Sequence, residues 1–232
     1  MKKLLLGLIG ICLFSMGYGS NTITVNFGSA TSGTISVEGG NSSCLGTPAS
    51  LSVSVLVSLK IAGNVHTAGL QAINGVQVDL TGAAISSFTT LTVGDYEFDN
   101  LQNQNYTVTP NKSSGAIKNG LDLIDLAQMQ LHLLGVAPLN SPYKIIAAGL
   151  NQSGSVTTED LVLMQQVILN ITTTLPKNWV FVLSSYVFPK PANPFGSTFP
   201  QNRVYAPLSL EQLNEDFIRI KIGDLNLDRN TQ

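Results

Sequence analysis

The feature that most constrains this chain is a duplication. Residues 121–135 read LDLIDLAQMQLHLLG and residues 157–170 read TTEDLVLMQQVILN. In the first, Leu123, Leu126, Met129 or Gln130, and Leu133 form one apolar stripe at helical period, and Gly135 is a C-terminal stop. In the second, Leu161, Met164, Val167 and Ile168 repeat the stripe, and Thr157 with Asp160 has the spacing of an N-terminal capping box. Two loop–helix units about 35 residues apart form an internal repeat.

The loops ahead of these helices have the outline of an EF-hand-type cation loop. Such a loop sets oxygen ligands at positions 1, 3, 5, 7, 9 and 12, with glycine at 6, because calcium prefers hard carboxylate and carbonyl oxygens. In the second loop Gly149, Asn151, Ser153, Ser155, Thr157 and Asp160 fall on those positions, with Gly154 at the turn. Asp160 is the one carboxylate among them, with Glu159 beside it on another part of the helix. In the first loop Asp125 falls at 12, Asp122 at 9 and Gly120 at 7; counting back gives Lys118, Ala116 and Ser114 at 5, 3 and 1. A lysine repels a cation and an alanine offers no ligand, so Asp122 and Asp125 read first as helix caps. Affinity follows the number of charged ligands, so the expectation for calcium is binding on the order of millimolar, or none.

Upstream, the pattern is of strands. SLKIAGNVHT, GVQVDLTG, FTTLTV and GDYEFDNLQNQNYTVTP alternate at period two, with Val76, Val78 and Leu80 on one face, Tyr96 and Phe98 on another, and Tyr106 and Val108 repeating it. Short strands at this spacing predict a small β-sandwich over 58–110. Residues 20–57 hold further runs, ITVNF, TISVE and LSVSVLV, around a turn-rich stretch that contains Cys44. The expected class is mixed and β-rich: a small sandwich, then an α-helical loop–helix pair over 111–175, then a strand and loop extension over 176–232.

Two resemblances follow from these residues. The frame IAGNV…INGVQVDLTG…GDYEFDNL…NYTVTP resembles the prealbumin-like repeats of bacterial surface proteins, the Cna B-type or carboxypeptidase regulatory-like group. That resemblance implies a spacer; a related sandwich binds starch through exposed aromatics, whereas the rings here face inward by period. Some relatives form an internal Lys–Asn isopeptide bond, for which Lys60 is the candidate donor. The duplicated units, with LNSPYKIIAAGLNQSGSVTTEDLVLMQQVIL and the later IKIGDLN, resemble a type I dockerin, as found in large exported proteins of gliding, biomass-degrading bacteria. This implies two calcium loops whose helices bind a cohesin-like protein or terminate a spacer. It would make Asn151, Ser153, Ser155, Thr157 and Asp160 the ligands of one loop, and Gly120, Asp122 and Asp125 those of the other. Gly149 and Ser114 depart from that pattern, which usually has Asp.

The first 19 residues, MKKLLLGLIGICLFSMGYG, read as a secretory signal: two lysines, a short apolar run and small residues before the cleavage point. The run is shorter than the roughly 20 residues of a membrane span. Cleavage leaves 10 Lys and Arg (12 less Lys2 and Lys3) against 14 Asp and Glu, a net charge of about −4, with no basic patch for nucleic acid. It also leaves Cys44 alone, so no internal disulfide is expected. The expected destination is secretion or the cell surface, with periplasmic retention as the alternative.

The tail contains a strand run, NWVFVLSSYVFP, with Trp179 buried at its start, then an extended proline-rich stretch. Ser209 and Gln212 suggest a capped short helix, and FIRIKIGD a strand with Phe217 or Ile218 alternating inward. Asp224, Asn226 and Asp228 have the spacing of loop positions 1, 3 and 5. They read either as a frayed polar end or as a segment folding back to supply the carboxylate missing at Gly149. His66 and His132 stand apart from any catalytic motif, so no enzyme is expected. Two functions remain: a non-catalytic interaction or spacer module that docks to a protein, or a polysaccharide-binding accessory. The latter would use Tyr186, Phe188, Phe195, Phe199 and Tyr205 as a ring plane.

Overall fold

The computed structural model describes residues 58–113 and 115–227, and before them the backbone of a few short strands. The chain divides into Met1–Ser58 and Leu59–Gln232. In the first unit Ser32–Val37 pairs antiparallel with Ala49–Ser54, overlapping TISVE and LSVSVLV. Apart from the backbone of Leu4–Leu6, the signal sequence lies outside the described residues, as do ITVNF and the side chain of Cys44.

The second unit is mixed and sheet-rich. Its first five strands are β1 (Leu59–His66), β2 (Gln77–Gly82), β3 (Ser86–Thr89), β4 (Asp95–Leu101) and β5 (Tyr106–Asn111). Their alternation is the cause of their pairing. Val76, Val78, Leu80, Tyr96, Phe98, Tyr106 and Val108 are all buried in one core, and the residues between them face outward. Three helices follow: α1 (Leu123–Leu133), α2 (Pro142–Ala148) and α3 (Thr158–Ile168). The tail supplies β6 (Trp179–Leu183), β7 (Arg203–Tyr205) and β8 (Phe217–Lys221).

Both sheets need the tail. One runs β7-β5-β2-β3 and the other β6-β8-β1-β4. β8 lies parallel to β1, with Phe217 opposite Val65, and antiparallel to β6. A parallel neighbour requires a long crossover, which the helices provide. β6 and β8 are buried on both faces. Trp179, Phe181, Leu183 and Phe217 enter the core between the sheets. Val180, Val182, Ile220 and the following Ile222 enter a second core with Met129, Ile146, Met164 and Leu225. The extension thus packs on the helices and also completes both sheets, so the expected boundaries at 110 and 175 fall inside one compact unit.

Two local expectations change, and one helix appears that the pattern does not mark. Residues 209–214 form no helix and instead make an isolated bridge through Gln212. The Ala62 amide donates to the Gln212 carbonyl and the Gln212 amide to the Lys60 carbonyl, so backbone pairing with β1 overrides a short capping signal. Leu123 is exposed, because the buried face of α1 is set by Asp125 and Met129. And α2, too short at seven residues to be stable alone, forms where four consecutive residues, Ile145–Ala148, are buried. Among the described residues no helix is long and apolar enough to cross a membrane.

Candidate functional site

The two loop–helix units are built on buried aspartates. α1 begins at Asp122, whose Oδ1 accepts from the Ile124 and Asp125 amides at 2.7 and 3.2 Å. Asp125 Oδ2 accepts in return from the Asp122 amide at 2.9 Å. α3 begins at Thr157, whose hydroxyl accepts from the Glu159 amide at 3.3 Å, while Asp160 Oδ2 accepts from the Thr157 amide at 2.9 Å. Both are capping boxes, which satisfy amides that the first helical turn leaves over.

The remaining oxygen of each aspartate shows what closes the loop. Asp160 Oδ1 accepts from the Asn151 amide at 3.0 Å, nine residues earlier. Asp125 Oδ1 accepts from the Leu225 and Asn226 amides at 2.7 and 3.1 Å, about a hundred residues later. Asn226 therefore stands to Asp125 as Asn151 stands to Asp160, and both are preceded by a fully buried leucine, Leu225 and Leu150. Counting back along the chain from Asp125 puts Ala116 in that place; the segment that follows β8 fills it instead. Ser114 and Asp228 lie outside the described residues. Asp224 lies between Gly223, whose amide donates to the Ala147 carbonyl, and Leu225, whose amide donates to Asp125; the Cβ that Gly149 lacks would lie 3.0 Å from Phe195 Cζ.

In the second loop Asn151 Oδ1 accepts from the Ser153 amide at 2.9 Å, and Asn151 Nδ2 donates to Glu159 Oε2 at 3.3 Å. Ser153 Oγ donates to the Ser155 carbonyl at 3.4 Å. Gly154 and Gly120 both take positive φ, 86° and 82°. Burial raises the Asp125 carboxyl above the ordinary carboxylate range, against the lowering effect of its three backbone donors. Among the described residues no three His, Cys, Asp or Glu side chains gather where one cation would join them.

The other named residues are occupied structurally. Lys60 pairs with Glu97 and Asp99, each at 3.0 Å, on the surface. His66 Nδ1 lies 2.7 Å from the Thr67 carbonyl, and the Leu139 amide donates to His132 Nδ1 at 3.2 Å. Of the five tail rings, Phe188 and Tyr205 are buried, and Phe188 meets Tyr186 edge-on and Phe199 at a tilt. Sequence reasoning missed Leu225 and Asn226 as partners of Asp125. The local similarity of GDLN at 223–226 to GLN at 149–151 was the available signal.

The outer faces of α1 and α3 carry exposed apolar residues. Ile124, Leu131 and Leu134 lie on α1 and its end; Val162, Leu169 and Ile171 lie on α3 and its end. Compared with known families and with curated proteins, the chain matches no family and no individual protein.

Proposed function

We propose that this is an exported, non-catalytic interaction module whose paired helices dock to a partner protein in the manner of a dockerin, with the sandwich serving as its mount. The reading rests on one observation. The repeat leaves matched apolar residues uncovered at equivalent helix ends: Leu134 is 74% exposed and Leu169 67%, with Val136 and Ile171 similarly open just beyond. Apolar residues that lie together on a surface mark interaction sites, and here the same exposure recurs at both copies of the repeat. The carboxylates of the loops serve helix capping in this reading, so docking does not require calcium. The polysaccharide reading has less support, because the tail rings pack edge-on rather than in an open plane.

The test is affinity capture from the exported proteins of the producing cells, followed by titration of the purified captured protein. Wild type and a Leu134→Gln, Leu169→Gln variant with unchanged melting temperature are compared. Loss of at least about tenfold in affinity, or about 1.4 kcal/mol, supports helix-face docking. Equal affinity of the two proteins rejects it.

A further inference from the structure

We infer that the first loop–helix unit is closed by the chain's own C-terminal segment, Lys221–Asn226, in the place where a bound cation would otherwise hold it. Three contacts converge on this segment. The Leu225 and Asn226 amides donate to buried Asp125, so the carboxylate at loop position 12 is engaged by backbone. Lys221 Nζ, on an almost fully buried side chain, donates to the Ile117 carbonyl at 2.9 Å and the Ile222 carbonyl at 3.2 Å. It also lies 5.2 Å from the centre of the Trp179 ring. A tethered ammonium thus sits against the backbone of the first loop, between ligand positions 3 and 5, where its charge opposes the entry of a second cation. Third, Gly223 passes so close to Leu121 that a Cβ would lie 2.4 Å from its side chain, and its amide donates to the Ala147 carbonyl. The segment therefore ties α1 and the end of α2 to β8.

The donor set explains why a strap suits this loop better than calcium. Lys118 and Ala116 stand where the loop pattern calls for ligands, and Asp125 already receives three N–H donors. The strap makes the orientation of α1 a property of the sheet, not of the ionic surroundings. This holds whether or not the helices dock to a partner.

The test is hydrogen exchange by mass spectrometry on the full chain, in calcium chloride and in EGTA. The expected result is equal protection of residues 121–134 in the two buffers. Lys221→Met and Gly223→Ala should each raise exchange there by about tenfold while residues 77–82 and 158–168 keep their protection. Protection of 121–134 that appears only with calcium overturns the inference. So does calcium-independent protection that neither variant disturbs. If a variant does not fold, the wild-type comparison of the two buffers still decides against or for the ion.

Discussion

The helices α1 and α3 are copies that reach the same geometry by different routes. Each starts in a capping box around a buried aspartate, buries one methionine completely (Met129 or Met164), and ends in a left-handed residue, Gly135 at φ 68° or Asn170 at φ 58°. The routes differ in what closes the preceding loop. Asp160 is met by a residue nine positions away, Asp125 by residues about a hundred away. Closing the longer loop costs about 2 kcal/mol more in chain entropy, if both segments are otherwise free. A repeat unit can therefore keep its local geometry while its cohesion moves from the contiguous loop to a distant strand. In α3 the closing contact is local; in α1 the capping box is local and the closing contact comes from the segment that follows β8.

The largest expected effect is at the aspartates. Asp125→Ala leaves three backbone donors without their acceptor in a buried place, and should cost about 3 kcal/mol or more in denaturant unfolding. Asp160→Ala leaves two backbone amides and should cost about 2 kcal/mol. The reverse order would break the comparison. Next are the glycines. Gly223→Ala meets Leu121 and a φ of 93°, so about 2 kcal/mol is expected. Gly154→Ala meets open space at φ 86°, so about 1 kcal/mol is expected from backbone strain alone.

A pH series sharpens the contrast further. The carboxyl of Asp125 is raised by burial, so the folded state binds its proton more readily than the unfolded chain. Its contribution to stability is present below the unfolded carboxylate value and is lost as pH rises through the folded value. Melting temperatures of Asp125→Asn should lack that component, seen as a flatter profile than wild type on the acid side of neutrality. Smallest of all is the docking face. Leu134→Gln and Leu169→Gln should each change stability by no more than about 0.5 kcal/mol, because neither side chain is buried.

Much of this was legible from residue order. The alternation through Val76–Leu80 and Tyr96–Val108 located the inner faces of the sheets, and Thr157 with Asp160 located a helix start. What stayed hidden is non-local. β6 and β8 are covered on both sides, so Trp179–Leu183 and Phe217–Lys221 lack a two-residue period that would tell one face from the other. The extension could be read as strands but not assigned to sheets, because a parallel pair such as Phe217 with Val65 leaves no signature in either segment. The placement of Leu225 and Asn226, after β8, against Asp125 was invisible for the same reason. α2 was hidden by its brevity; Pro142 after Ser141 was its one start signal.

The most direct test of the account is hydrogen exchange at Phe217–Lys221 in Asp125→Asn and in Asp160→Asn. If α1 is closed by the segment that follows β8, Asp125→Asn accelerates exchange in that strand and Asp160→Asn leaves it as in wild type. Equal exchange in the two variants would contradict the account, because it would mean that Asp125 and the strand beside it are not energetically joined.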